Sequence, residues 1–233
     1  MSGLNGLFGV GSNALASFQR AMSVTSQNIA NVSTPGYSRQ EAVLTETLPE
    51  NGRPGQIGTG VQVSEIRRSV DSFVEQQLLG SSERIGQFDA SQKALSQIQI
   101  LFNDSNDQGI AAGLNDFFKA WQDVATNPAD LTSRTVLLTK ADALTKQLNQ
   151  ASSQLSAQRL SLDSQIGSGI NDINALASKI ADLNAQIKLT EVSGQQANDL
   201  RDQRGRFLNE LSGLVDISSI EDGSGQVTVF VGI

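Results

Sequence analysis

Carboxylates are the groups best placed to do acid–base chemistry in this sequence, which holds 24 Asp and Glu but no His and no Cys. Those absences remove the usual general base, the usual thiol nucleophile, the commonest zinc ligands and any disulfide. Acidic pairs such as Asp199/Asp202 and Glu221/Asp222 fall on polar faces or in turns, where solvated charge is the default. The run from Asn103 to Gly109 places Asp104, Asn106 and Gly109 much as a calcium loop would, but the position for the bidentate carboxylate is Asn115. Asp107 reads better as a helix cap. Gly9-Val10-Gly11, with Ala14 three residues on, mimics a dinucleotide fingerprint, yet no strand precedes it and no βαβ unit follows. No P-loop and no Ser-His-Asp set occurs. Nothing converges on a pocket, so the expectation is a protein that is not an enzyme and uses no cofactor or metal.

A formal net charge of −7 argues against nucleic acid and against an anionic membrane as partner. The tight basic pair Arg67-Arg68, at a strand-to-helix junction, reads as solvated. No run of about 18 apolar residues could span a membrane, and the start of the chain lacks the pattern of a cleaved signal peptide. On composition alone the chain would be placed in the cytoplasm. No period of 20–50 residues repeats.

The most informative stretch is Asn28-Ile29-Ala30-Asn31-Val32-Ser33-Thr34-Pro35-Gly36-Tyr37, continuing Ser38-Arg39-Gln40. A helix must position it. Leu4, Phe8, Leu15, Phe18, Met22 and Ile29 fall on one face of a helix over roughly residues 4–32, with Gly11 and Thr25 at weak positions of the stripe. The stripe is narrow, nearly a coiled-coil seam, and a seam needs a partner. Pro35 drives Thr34 out of helical geometry, and Gly36 accepts positive φ. Asn28 and Asn31, three apart, share a face and can satisfy a neighbour or the exposed last-turn carbonyls. Tyr37, the only tyrosine, follows the turn directly.

Further along, residues 41–48 and 61–66 read as short strands, the second with period-two alternation. Two prolines and four glycines in residues 49–60 make a loop or β-ribbon between them. From about residue 70 helices dominate. Val70, Val74, Leu78, Ile85, Phe88, Gln92, Leu95, Ile98 and Phe102 trace one stripe. Ile110, Leu114, Phe117, Phe118, Trp121 and Val124 make a helix over roughly 108–126, with Phe117, Phe118 and Trp121 expected in the core. A near-continuous stripe over 131–190 predicts a helix of about 90 Å, with Gly167 and Gly169 as weak points. A last helix is expected over about 195–213 on Leu200, Phe207, Leu208 and Leu211. Residues 226–231 then alternate as a strand without a closing hairpin, which predicts that a longer protein continues the chain.

The segment Ala30-Asn31-Val32-Ser33-Thr34-Pro35-Gly36-Tyr37, preceded by Asn28-Ile29, resembles the ANxxTPGY signature of the flagellar rod, hook and hook-associated proteins. Ser38-Arg39-Gln40, and Asn198–Arg204 followed by Leu208–Ser212, are similar to the hook-associated members, with Gly205 departing from the charged residue expected there. The resemblance implies an axial structural subunit joining hook to filament, with Asn28, Ile29, Ala30, Asn31, Thr34, Pro35, Gly36 and Tyr37 as an assembly motif. It implies as partners other copies in a ring, the hook protein, the second hook-associated protein, and an export chaperone for a missing C-terminal region. That region would supply the partner of the first helix. It also reverses the cytoplasmic placement: such proteins leave through the flagellar export channel, without a cleaved signal, to an extracellular flagellum. The expected fold is mainly α: an N-terminal coiled-coil helix (1–37), a linker with short strands (38–69), an elongated bundle of long helices (70–215), and the start of a β-rich domain (216–233). Another axial protein, rod or hook, and a coiled-coil interaction module stay open as alternatives. A rod or hook subunit fits the long helices less well, and a coiled-coil module predicts a stable dimer.

Overall fold

The computed structural model describes residues 3–51, 53, 55–102 and 109–232. Asp104, Asn106 and Asp107, the residues of the calcium-like loop and of the expected cap, lie outside the described residues, as do Gly52 and Pro54 of the loop. The chain is mainly α with short strands. Its elements run α1 (Gly3–Ala30), β1 (Gln40–Glu46), β2 (Glu50–Asn51), β3 (Gln56–Ile57), β4 (Val61–Arg68), α2 (Ser72–Leu101), α3 (Ile110–Thr126), α4 (Leu131–Val192), α5 (Asn198–Ser212), β5 (Ile217–Glu221) and β6 (Val227–Val231). Side chains set the helix starts. Asp71 accepts the Phe73 amide at 2.9 Å ahead of α2. Asp130 accepts the Thr132 and Ser133 amides, each at 3.1 Å, ahead of α4. Gly167 and Gly169 sit inside α4 without interrupting it, and Gly205 does not interrupt α5.

The chain divides into two units, residues 1–86 with 173–233, and residues 87–172. In the first, β1 and β4 form an antiparallel ribbon with Gln40 opposite Arg68 and a bulge between Val43 and Leu44. The Pro/Gly-rich loop carries a small clip in which Glu50 faces Ile57. α1 lies on the ribbon: Ser17 Oγ reaches the Val61 carbonyl at 3.1 Å, and Ser17 and Val24 are buried.

The hydrophobic core of this unit joins Leu176 and Ile180 of α4, Leu208 and Leu211 of α5, Ile217 of β5 and Val227 of β6. The expectation of a strand without a hairpin is corrected here. β6 pairs antiparallel with β5, Ile217 opposite Val231. The segment Ile217-Ser218-Ser219-Ile220 hides its strand because two serines break the alternation. A charge cluster built around one buried arginine holds the hairpin on the helices. Arg204, only 2% exposed, donates to the Gly225 carbonyl at 2.5 Å, to Asn184 Oδ1 at 2.9 Å and to Glu221 Oε2 at 3.0 Å. Arg201 pairs with Glu191 at 2.7 Å and also with Glu221. Glu221, expected to be solvated, is thus shared by two arginines.

α2 reverses its expected orientation. Val74, Leu78, Ile85, Phe88 and Leu95 of the stripe are exposed. In the first unit α2 meets α5 with its Leu79–Ser82–Gly86 side instead: Leu79 packs on the core, and Ser82 Oγ donates to Asn209 Oδ1 at 2.6 Å. Small side chains allow the backbones to close in, and a Cβ built on Gly86 would run into the Gly213 carbonyl. Gly86→Ala should therefore cost about 1–3 kcal/mol through overpacking, read as a lowered midpoint in urea with an unchanged slope.

In the second unit α3 buries Ala120 and half-buries Gly113, Phe117 and Val124. Phe118 and Trp121, expected in the core, are 59% and 58% exposed. Consecutive helical residues lie about 100° apart, so Phe117 and Phe118 cannot share one face, and the smaller Gly113–Ala120 side wins the contact. Phe118 packs edge-on to Phe117, with centroids 5.5 Å apart. Trp121→Ala should then cost about 1 kcal/mol or less, not the ~3–5 kcal/mol of a buried ring. A thermal melt nearly identical to wild type is the expected result. Among the described residues of this unit the buried apolar side chains are two alanines, Ala120 and Ala151.

Candidate functional site

The stretch singled out in the sequence forms the exit from α1. Its backbone turns through Asn31 N to Gln27 O (3.0 Å), Thr34 N to Asn31 O (2.9 Å) and Tyr37 N to Thr34 O (3.2 Å). Gly36 takes a φ of +73°, in the left-handed region, and Arg206 lies across it where a Cβ would point. Arg206 also donates to the Pro35 carbonyl at 3.2 Å.

The two asparagines work at different levels. Asn31 caps the last turn: its amide donates to Gln27 O at 3.0 Å, and its oxygen accepts from Thr34 Oγ1 at 3.1 Å. Asn28 fastens the returning strand. Its amide donates to the Gln40 carbonyl and its oxygen accepts from the Gln40 N–H, both at 2.8 Å, while the Tyr37 hydroxyl donates to the same oxygen at 2.9 Å. Burial raises the Tyr37 hydroxyl pKa above its ordinary value, and the charges of Asp199 and Asp202 add to it. The hydroxyl therefore stays a donor at neutral pH. Ile29, Pro35 and Gly36 are exposed, and Ala21, Val24, Asn28, Ile29, Tyr37 and Ala42 line an open groove of ≈ 610 Å³.

Leu4, Phe8, Leu15, Phe18, Met22 and Ile29 are all exposed, from Phe18 at 55% to Phe8 at 73%. An apolar row left in water along one helix is a candidate contact surface.

Four polar residues beside the turn were not singled out as a site. Asp202, 6% exposed, accepts from the Ser38 N–H at 2.9 Å and from Arg68 Nη1 at 2.8 Å. Asp199 accepts from the Gln40 amide at 2.9 Å. Asn198 donates to the Ile66 carbonyl at 2.6 Å. The reading of Arg67-Arg68 and Asp199/Asp202 as solvated charge holds for exposed Arg67, which lies 3.7 Å from Glu41, but not for Arg68 or Asp202. Their partners lie more than 130 residues apart, beyond any local pattern.

A long-helix body, a helix with an uncovered seam and a signature turn at its exit define a class, the rod, hook and hook-associated proteins of the flagellar axis. Residues 8–37 match the family model described as flagella basal body rod protein. Residues 95–233 match that of the helical domain of flagellar hook-associated protein FlgK, and the chain belongs to that family. It is 33% identical over 219 residues to flagellar hook-associated protein 1 of Bacillus subtilis, covering 91% of this chain and 43% of that protein. The corresponding protein of Salmonella typhimurium is 33% identical over 214 residues, covering 91% and 38%. That of Escherichia coli is 31% identical over 214 residues, covering 91% and 39%. The chain thus spans about two fifths of the length of these relatives. The solved flagellar hook junction protein FlgK of Burkholderia pseudomallei is similar over 67% of this chain and 27% of its own, with a TM-score of 0.51 and 30% identity. Among the described residues no group of three or more Asp and Glu is placed to hold a metal ion, and no helix is long and apolar enough to cross a membrane.

Proposed function

We propose that this chain belongs to a structural subunit that joins the flagellar hook to the filament, acting by assembly and not by catalysis. Its neighbours are other copies in a ring, the hook protein on one side and the second hook-associated protein on the other. It reaches the cell exterior through the flagellar export channel without a cleaved signal, and an export chaperone attends a C-terminal region beyond this chain. Residues 1–37 act as the axial coiled-coil helix, 38–69 as the linker, 70–215 as the helical domain and 216–233 as the start of a β-rich domain. Asn28, Ile29, Ala30, Asn31, Thr34, Pro35, Gly36 and Tyr37 direct the chain out of the axial helix.

The observation that carries this reading is the uncovered seam of α1, from Leu4 to Ile29, ahead of a turn whose hydrogen bonds are nearly all internal. A helix fixed at its exit and apolar along its length is a building block with one coupling face. The exposed row on α2 and the exposed Leu114, Phe118 and Trp121 of α3 point the same way. Isolated hooks incubated with the full-length protein, then labelled with gold-bearing antibody, should carry gold at the distal end of each hook. Gold along the hook shaft would favour a hook or rod subunit, and no gold, with a stable dimer in solution, a free coiled-coil module.

A further inference from the structure

Residues 3–69 form an arm made of α1, the signature turn and the β1–β4 ribbon, and the way this arm is fixed to the rest of its unit is unusual. The core cluster of the unit is built from α4, α5, β5 and β6, with Leu79 of α2 against it, and draws no residue from the arm among the described residues. The arm meets α5 through polar groups. Asp202 bridges Ser38 N and Arg68, Asp199 holds the Gln40 side chain, Asn198 holds the Ile66 carbonyl, and Arg206 holds the Pro35 carbonyl. The centre of the joint is enclosed, with Asp202 6%, Gln40 and Asn198 each 7% and the Arg68 side chain 11% exposed, while Asp199 and Arg206 lie at its exposed rim.

Such a joint has two physical consequences. Hydrogen bonds are directional where apolar contacts are not, so the joint fixes an angle. From Asp202 and Asp199 the constraint passes to Ser38 and Gln40. From Gln40 it passes through the paired 2.8 Å bonds to Asn28 in the last turns of α1. The joint also lies outside the core cluster, whose apolar burial is the main contribution to cohesion, so it can open while that core stays closed. Removing one partner of an enclosed ion pair strands the other, so the joint is sensitive to a single substitution.

We propose that Asp202 and Arg68 are the positioning residues of the arm. They form a polar hinge that sets the direction in which α1 leaves α5 and that opens without unfolding the α4–α5–hairpin core. This inference concerns the unit itself and does not rest on the role at the hook.

The 233-residue chain contains no cysteine, so labels can be placed uniquely at Gln27→Cys on α1 and Glu210→Cys on α5, both exposed positions. Spin-label distances between them, measured alongside amide exchange, test the hinge in Arg68→Met and Asp202→Asn. Arg68→Met changes the arm alone, so α5 keeps its sequence should Asp202→Asn destabilise it. A polar hinge predicts a narrow distance distribution that broadens in Arg68→Met. It also predicts exchange at β1 and β4 faster by on the order of tenfold, with Ile180, Ile187 and Leu211 unchanged. The double variant should be no looser than either single one. An unchanged distribution in Arg68→Met would overturn the proposal. So would core and arm amides accelerating together in that variant, because arm and core would then be one cooperative unit.

Discussion

Gly36→Val protein should fold its α4–α5–hairpin core normally and fail to take its place on a hook. Gly36 has a φ of +73°, which a β-branched residue resists, and the space on its Cβ side holds the Arg206 side chain. Forcing valine there costs about 1–3 kcal/mol of backbone strain, enough to shift the turn population roughly fivefold or more. The turn relieves that strain by re-routing, because it is anchored by single hydrogen bonds and contributes nothing to the core cluster. Any re-routing swings α1. The expected result is a melt matching wild type and hook capping reduced by on the order of fivefold or more. Normal capping would reduce the signature to an ordinary helix stop.

The largest loss of stability is expected from Arg204→Met. Arg204 is nearly sealed from solvent, and it satisfies the Gly225 carbonyl, Asn184 and Glu221 together. Burial lowers its pKa, and the nearby Glu221 carboxylate works against that. Methionine restores much of the volume but leaves a carboxylate and a carbonyl without that donor. A cost of about 3 kcal/mol follows from leaving the enclosed Gly225 carbonyl and Asn184 oxygen without that donor, at about 1–3 kcal/mol each, while Glu221, 37% exposed, keeps Arg201. Urea unfolding followed by circular dichroism should show it as a sharply lowered midpoint. A loss below about 1 kcal/mol would mean that water replaces the guanidinium at little cost, and that the hairpin is held by Ile217 and Val227 alone.

What could be read from the sequence follows the range of the forces involved. The end of α1 was legible because Pro35 and Gly36 act on their own backbone, and β4 because its alternation is local. The long helix was legible from its length of apolar period, which Gly167 and Gly169 do not break. The faces were not. Large apolar residues were assigned to the core of α2 and α3, whereas Leu79–Ser82–Gly86 and Gly113–Ala120 make the contacts. Close helix approach favours small side chains, and a stripe of large ones is equally consistent with a surface awaiting a partner.

The polar joint was invisible because Arg68 and Asp202 lie 134 residues apart. The separate charge cluster at the hairpin did leave a signal: Arg204 falls four and seven residues before Leu208 and Leu211, on the buried side of α5. A charge on an apolar stripe marks either a misread face or an enclosed polar contact, and here it marks the contact with Gly225, Asn184 and Glu221.

The central claim is that the subunit joins filament to hook through assembly. Electron microscopy of cells carrying a clean deletion of the gene, scored for hooks with and without filaments, tests it most directly. The account predicts hooks of normal length that end bare, with filaments restored by the wild-type gene. Deletion cells whose hooks still carry filaments would contradict it.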